Sequence, residues 1–202
     1  ELARHAVEIG ADGIGVVTPV FFKLSDRGLI DYYKAVSASV PEDFPIYLYG
    51  IPQNAVNDIN RAVAETVAKS CRNVIGIKYS YPDFTRIQDF MTINDGTFSV
   101  LVGPDHFLEA ACVVGGDGTV SGNAMCIPEH YAKLWQAIQA KDYALATRYQ
   151  RRTNVLNAVM CAVNNIAAYK VILKREGVIS TTKMRRPMES LTAEQEKELL
   201  EA

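Results

Sequence analysis

Five times along this chain a short apolar run rich in β-branched residues gives way to a segment of helical spacing, and that alternation restricts the fold more than any other feature. Strands covered on both faces read as nearly continuous apolar runs, and parallel neighbours need a long crossover, usually a helix. Gly13–Thr18, Pro45–Tyr49, Val74–Lys78, Ser99–Val102 and Gly118–Ser121 are read as such strands. Helices are expected over Asp26–Ser39, Ile59–Lys69, Asp83–Thr92, Asp105–Val114 and Pro128–Ala140. Ser25 and Asp26 stand ahead of the first of these, and Pro82-Asp83 opens the third. The fold class is therefore α/β with a parallel sheet.

Beyond Lys141 the pattern changes. A long helical stretch is read over Tyr143–Glu176, followed by a loop through Ser180–Pro187 and a last helix over Thr192–Ala202, which Thr192 and Gln195 open as a capping box. Residues 1–140 are accordingly assigned to βα units, and residues 141–202 to a C-terminal helical region packed on them. Residues 1–9 read as a helix already under way, without an initiator Met, so the numbering is expected to begin inside a longer protein.

Composition narrows the classes of partner. The formal charge of −2 supplies no basic field to hold nucleic acid. No apolar run reaches the roughly 18 residues that span a bilayer, and the start Glu1-Leu2-Ala3-Arg4-His5 lacks the pattern of a signal peptide. A small-molecule partner and a cytoplasmic location are expected. Cys71, Cys112, Cys126 and Cys161 are widely spaced in apolar surroundings without a CxxC pair, and are read as reduced and structural, with no metal. His5 and His130 have no recognisable partner and are read as solvated or helix-surface residues.

A parallel sheet can be open and doubly wound or closed into a barrel. No GxGxxG turn follows the first strand, which argues against the dinucleotide-binding open sheet. Barrel enzymes project functional groups from the C-terminal ends of several strands. Here those ends carry Thr18, Tyr49, Lys78, Asp105 just past its strand, and Ser121.

Lys78 closes the run Asn73-Val74-Ile75-Gly76-Ile77-Lys78. Withdrawal from water disfavours an ammonium ion, and a neutral amine can condense with a ketone to give an iminium, an electron sink for breaking or making a neighbouring C–C bond. Spacing alone leaves open a lysine that merely snorkels from a strand end. Tyr49, on the adjacent strand, is read as a proton shuttle or a carboxylate ligand, with a packed tyrosine as the alternative. The loops Gly103-Pro104-Asp105-His106 and Ser121-Gly122-Asn123 offer backbone donors and polar side chains to an extended substrate, although Asp105 can equally cap the next helix.

Taken together these stretches resemble the dihydrodipicolinate synthase and N-acetylneuraminate lyase family of class I aldolases. The likeness rests on Val17-Thr18-Pro19, on Tyr49-Gly50-Ile51-Pro52 where the family usually has Tyr-Asn-x-Pro, on Gly76-Ile77-Lys78 with Ser80 two residues on, on Val102-Gly103-Pro104-Asp105, on Gly115-Gly116-Asp117-Gly118 and on the late Arg186-Pro187. The resemblance implies a partial (β/α)8 TIM barrel, about strands 4 to 8, with a C-terminal helical extension. It also implies a homotetramer when full length, and no metal or organic cofactor, the reactive group being a covalent Schiff base on Lys78. The first three barrel units and their Gly-Thr-Thr/Ser-Gly-Glu motif are absent from this stretch of chain.

Departures from the family bear on the substrate. Asn54 stands where the synthases place an arginine, Phe21 where they place a proton-relaying tyrosine, and Tyr79 where an acidic or amide residue commonly follows the lysine. Asp105 and His106 fall where the sialic acid lyases place acidic hydroxyl-binding residues, and Ser80 matches their hydroxyl residue. The expected activity is reversible cleavage of a sugar-derived 2-oxo acid to pyruvate and an aldehyde. Lys78 and Tyr49 would be catalytic, with Ser80, Gly103, Asp105, Val120, Ser121 and Asn123 as substrate contacts. The alternatives are a 4-hydroxy-tetrahydrodipicolinate synthase, condensing pyruvate with aspartate semialdehyde, and an inactive pyruvate-binding remnant.

Overall fold

Several helices in this chain start at side-chain caps, and the capping bonds expected at Ser25 and Asp83 form, joined by one at Asn60. Ser25 Oγ accepts from Gly28 N at 3.2 Å, Asn60 Oδ1 from Val63 N at 2.9 Å, and Asp83 Oδ1 from Arg86 N at 2.9 Å. Each satisfies an amide that the first helical turn would otherwise leave unpaired. The computed structural model describes residues 1–201; Ala202, the last residue of the final expected helix, lies outside them. Contacts divide the chain into two units, Glu1–Val120 and Ser121–Ala202.

The first unit runs α1 (Leu2–Glu8), β1 (Ile14–Val17), α2 (Asp26–Ser37), β2 (Ile46–Gly50), α3 (Pro52–Ala55), α4 (Arg61–Ser70), β3 (Val74–Tyr79), α5 (Phe84–Met91), β4 (Ser99–Val102), α6 (Leu108–Val113) and β5 (Gly118–Thr119). All strands are parallel, in the order β1-β2-β3-β4-β5, as βα repetition predicts. One face of the sheet is sealed by helices. Leu48, Ile77 and Val102 are wholly buried there beside Val63, Val67, Ile87 and Phe90 from α4 and α5. Burial of each such side chain contributes roughly 1.5–3 kcal/mol. On its outward side α4 carries Glu65, which bridges Arg61 at 2.7 Å and Lys69 at 2.8 Å.

Two asparagines tie the strand ends. At the N-terminal end, buried Asn73 donates to Ser37 O and Pro41 O at 3.2 Å each and accepts from Ser37 Oγ at 2.6 Å. At the C-terminal end, Asn57 donates to Pro19 O at 2.7 Å and Phe22 O at 2.8 Å, and accepts from Leu24 N at 2.7 Å. These bonds give the β1–α2 loop the partners that its backbone would otherwise lack.

The second unit contains α7 (Pro128–Gln139), α8 (Tyr143–Cys161), α9 (Asn165–Arg175) and α10 (Ala193–Glu201). The single stretch expected over Tyr143–Glu176 is two helices bent by 108°. Asn164 Oδ1 accepts from Ala167 N at 3.3 Å and starts the second. Among the described residues no single helix is long and apolar enough to cross a membrane. The capping box is present: Thr192 N donates to Gln195 Oε1 at 2.9 Å, and Gln195 N to Thr192 Oγ1 at 3.2 Å.

Four further expectations need correction. The helix over Asp105–Val114 is a 3-10 turn, Asp105–Phe107, followed by α6, and β5 stops at Thr119 rather than Ser121. His130 is half-buried, with Nε2 3.2 Å from Tyr149 O and 3.0 Å from Thr153 Oγ1, and desolvation pulls its pKa down. Cys161 is exposed rather than set in apolar surroundings, whereas burial pushes the Cys112 and Cys126 thiols up to about 11.

Candidate active site

Alternation along a strand sends successive side chains to opposite faces, so register decides which residues meet. The pairings Val17↔Tyr49, Tyr49↔Lys78 and Lys78↔Leu101 make one row across four strands near their C-terminal ends. Gly15, Tyr47, Gly76 and Ser99 form the row beneath. Both rows belong to the face opposite the helix-covered core. Tyr47, Tyr49, Lys78, Ser99 and Leu101 are each half-buried, whereas their neighbours along the strands are buried.

Lys78 Nζ lies 4.2 Å from the centroid of the Tyr49 ring. An ammonium over a tyrosine face is held by the ring quadrupole. The amine and the phenol that the sequence singles out therefore sit together on adjacent strands.

Beneath them Tyr47 donates from its hydroxyl to Ser99 Oγ at 2.9 Å, spanning β3. The ring can cross because residue 76 is glycine. A Cβ there would meet Tyr47 Cε1 and Ser99 O, each at 2.5 Å. Neither Tyr47 nor Ser99 was among the expected site residues. Tyr47 lies two residues before Tyr49 on a strand, and that period of two is the signal that places it on the same face.

The remaining candidates fall as follows. Ser80 N donates to Gly50 O at 2.8 Å, Gly103 N donates to Tyr79 O at 2.8 Å, and a Cβ at Gly103 would run into the Ser80 hydroxyl. Ser80 and Gly103 are thus in contact just beyond Lys78. Asp105 is buried at the start of its 3-10 turn, while His106 is exposed. Val120 is exposed, and its N–H donates to Val102 O at 3.1 Å. Ser121 and Asn123 belong to the second unit, where Ser121 Oγ accepts from Ala124 N at 3.1 Å and buried Asn123 donates to Asn157 Oδ1 at 2.8 Å.

The loops at these strand ends carry backbone strain. Phe21 has φ 80° and Val56 φ 69°, in a region that bulky and β-branched side chains rarely occupy. Lys23 Nζ donates to Val56 O at 3.3 Å, and Asn57, next in the chain, pins the loop that contains Phe21. Phe21 and Phe22 are 80% and 73% exposed, with rings 4.9 Å apart edge to face. Among the described residues no three His, Cys, Asp or Glu side chains gather as a set of metal ligands.

With this geometry in place, the comparison with known proteins is direct. The sequence model of the dihydrodipicolinate synthetase family matches residues 1–202. The chain belongs to that family. Among curated relatives, an N-acetylneuraminate lyase from Mediterraneibacter gnavus is 32% identical over 197 residues, covering 96% of this chain and 62% of the lyase. A crystal structure of dihydrodipicolinate synthase from Aquifex aeolicus superposes with a TM-score of 0.91 at 29% identity, covering 99% of this chain and 67% of the synthase. YagE from Escherichia coli K12, a prophage protein of the same family solved in complex with pyruvate, superposes with a TM-score of 0.90 at 28% identity, covering 98% of this chain and 67% of YagE. The chain thus spans about 60% of the lyase and two-thirds of each family structure. Family membership also confirms the resemblance read from the strand-end motifs.

Proposed function

We propose that the protein is a carbon–carbon lyase of this family that cleaves a sugar-derived 2-oxo acid through a Schiff base on Lys78, and that this chain supplies strands 4 to 8 of an eight-stranded TIM barrel. The observation that carries the reading is the Lys78 amine held 4.2 Å above the Tyr49 ring at the C-terminal end of a parallel sheet. That is the end of the sheet where enzymes of barrel architecture place their chemistry.

In this mechanism the neutral amine attacks the C2 carbonyl of the 2-oxo acid, and the carbinolamine loses water to give an iminium. The C4 hydroxyl gives up its proton as the C3–C4 bond breaks, and the iminium accepts the electron pair released, so an aldehyde departs and an enamine remains. Protonation at C3 and hydrolysis free pyruvate and return the amine. Tyr49 carries protons to and from the carbinolamine, as a phenol beside the amine can. Ser80, Gly103, Asp105 and Val120 contact the substrate. Phe21 has no transferable proton, and Asn54 has no charge to grip a second carboxylate. Both features favour cleavage of a polyhydroxy acid over synthesis of dihydrodipicolinate.

Incubation of the full-length protein with pyruvate and borohydride is expected to leave a reduced adduct on Lys78, read by mass spectrometry. An unmodified Lys78 overturns the reading. A coupled assay with aspartate semialdehyde separates the lyase from the synthase; sustained turnover there identifies a synthase.

A further inference from the structure

Tyr79 follows Lys78 in the chain and faces the opposite side of the sheet, where it is wholly buried. Its ring packs edge to face on Phe90, with centroids 5.2 Å apart, and lies flat against Gly50, where an added Cβ would come within 2.7 Å of Tyr79 Cδ2. Its hydroxyl donates to Asp58, 3.1 Å from Oδ1 and 3.3 Å from Oδ2. Arg86 on α5 completes the cluster. Its NH1 donates to Asp58 Oδ2 at 3.2 Å and to Ile59 O at 3.1 Å. Asp58 also accepts from Ile59 N at 2.8 Å.

Burial pushes the Tyr79 phenol far above its ordinary range, and the Asp58 charge pushes the same way, so the hydroxyl stays a donor throughout the physiological range. A buried phenol donating to a carboxylate that an arginine also holds is a charge-assisted link of fixed geometry.

From this arrangement we infer that Tyr79 is a positioning residue for Lys78: through Asp58 and Arg86 it fixes the end of β3 so that the amine stands over Tyr49. Two features make the link specific to that strand end. Gly50 pairs with Tyr79 in the same register that pairs Tyr49 with Lys78, so any shift of Tyr79 along the strand shifts both pairs together. Asp58 lies next to Asn57, which holds the β1–α2 loop, so one dipeptide anchors the C-terminal ends of β1 and β3 from the loop between α3 and α4. Gly50 and Tyr79 are also interdependent, because the tyrosine ring fills the space that a side chain at position 50 would need.

The inference rests on the Schiff-base reading, and one experiment separates the two. Full-length wild-type protein, Tyr79→Phe, Asp58→Asn, the double variant and Ile87→Val are incubated with saturating pyruvate and borohydride, and the rate of adduct formation on Lys78 is followed by mass spectrometry. Tyr79→Phe keeps the ring and loses only the hydroxyl, and its rate is expected to fall about tenfold, since an ångström of misplacement can cost more than that. Ile87→Val weakens the core beneath β3 and serves as the control for lost stability, with a rate that stays within about twofold of wild type. The double variant is expected to be no slower than the slower single variant, because both substitutions cut one link; independent structural losses would multiply instead. An adduct that forms at the wild-type rate in Tyr79→Phe overturns this inference alone. Absence of the adduct in wild type overturns the Schiff-base reading and this inference with it.

Discussion

The two faces of the sheet are made from alternate residues of the same strands, yet they obey opposite rules. Toward the helices, Ile46, Leu48, Ile77, Tyr79, Val100 and Val102 are between 0% and 1% exposed. Toward the other side, Tyr47, Tyr49, Lys78 and Ser99 are half-buried and polar at their tips. A core packed to crystal density loses stability for every methylene removed. The opposite face carries little apolar load and can hold reactive groups at small cost. Neighbouring positions such as Ile77 and Lys78 should therefore fail in unrelated ways.

The sharpest test of that contrast is Lys78→Ala. Borohydride trapping is expected to vanish and lyase turnover to fall by about 10³-fold or more, while the urea midpoint stays near wild type, as for a group whose role is chemical. A large loss of stability instead would erase the distinction between the faces. On the helix side Leu48→Ala should cost about 3 kcal/mol in urea unfolding, from lost transfer energy plus the cavity left behind. Gly76→Ala probes the boundary between the faces, because its methyl drives into the Tyr47 ring. We expect a loss of about 2 kcal/mol from overpacking, together with weakened trapping as the bond between Tyr47 and Ser99 breaks. The smallest effect, and one of opposite sign, is expected for Val56→Gly in the strained loop, a gain of about 1 kcal/mol as the left-handed backbone relaxes. Chemical denaturation reads it, and a loss of stability would show that Val56 is not strained.

What could be read from the chain follows the range of the interactions. Strand starts and the caps at Ser25 and Asp83 depend on neighbours within four residues, and period and capping rules capture them. The break between α8 and α9 escapes the sequence pattern although Asn164 is a recognisable cap, because the helical spacing on its two sides reads as continuous. Within the site, Lys78 and Tyr49 stand out as polar residues closing apolar strands. Tyr47 with Ser99, 52 residues apart, joins through strand register, and Tyr79 with Asp58, 21 residues apart, through a loop folded over the strand end, neither of which local pattern contains. In the sequence position 79 stands out only as a departure from the family; its burial in the helix layer follows from the alternation that turns Lys78 the other way.

One irregularity decides that alternation. Between β2 and β3 the register slips by a residue: Ile46 lies beside Val74, but Tyr47 lies beside Gly76, leaving Ile75 without a partner and 41% exposed. Because side chains flip with every residue, this single surplus position determines the parity of everything after it. Were Ile75 drawn into the ladder opposite Tyr47 instead, the lysine would turn inward among aliphatic side chains and Ile77 would stand in its stead, with no change to the residues usually counted as reactive. In a sheet of this kind, a one-residue slip far down a strand can therefore switch off chemistry as completely as loss of the nucleophile itself.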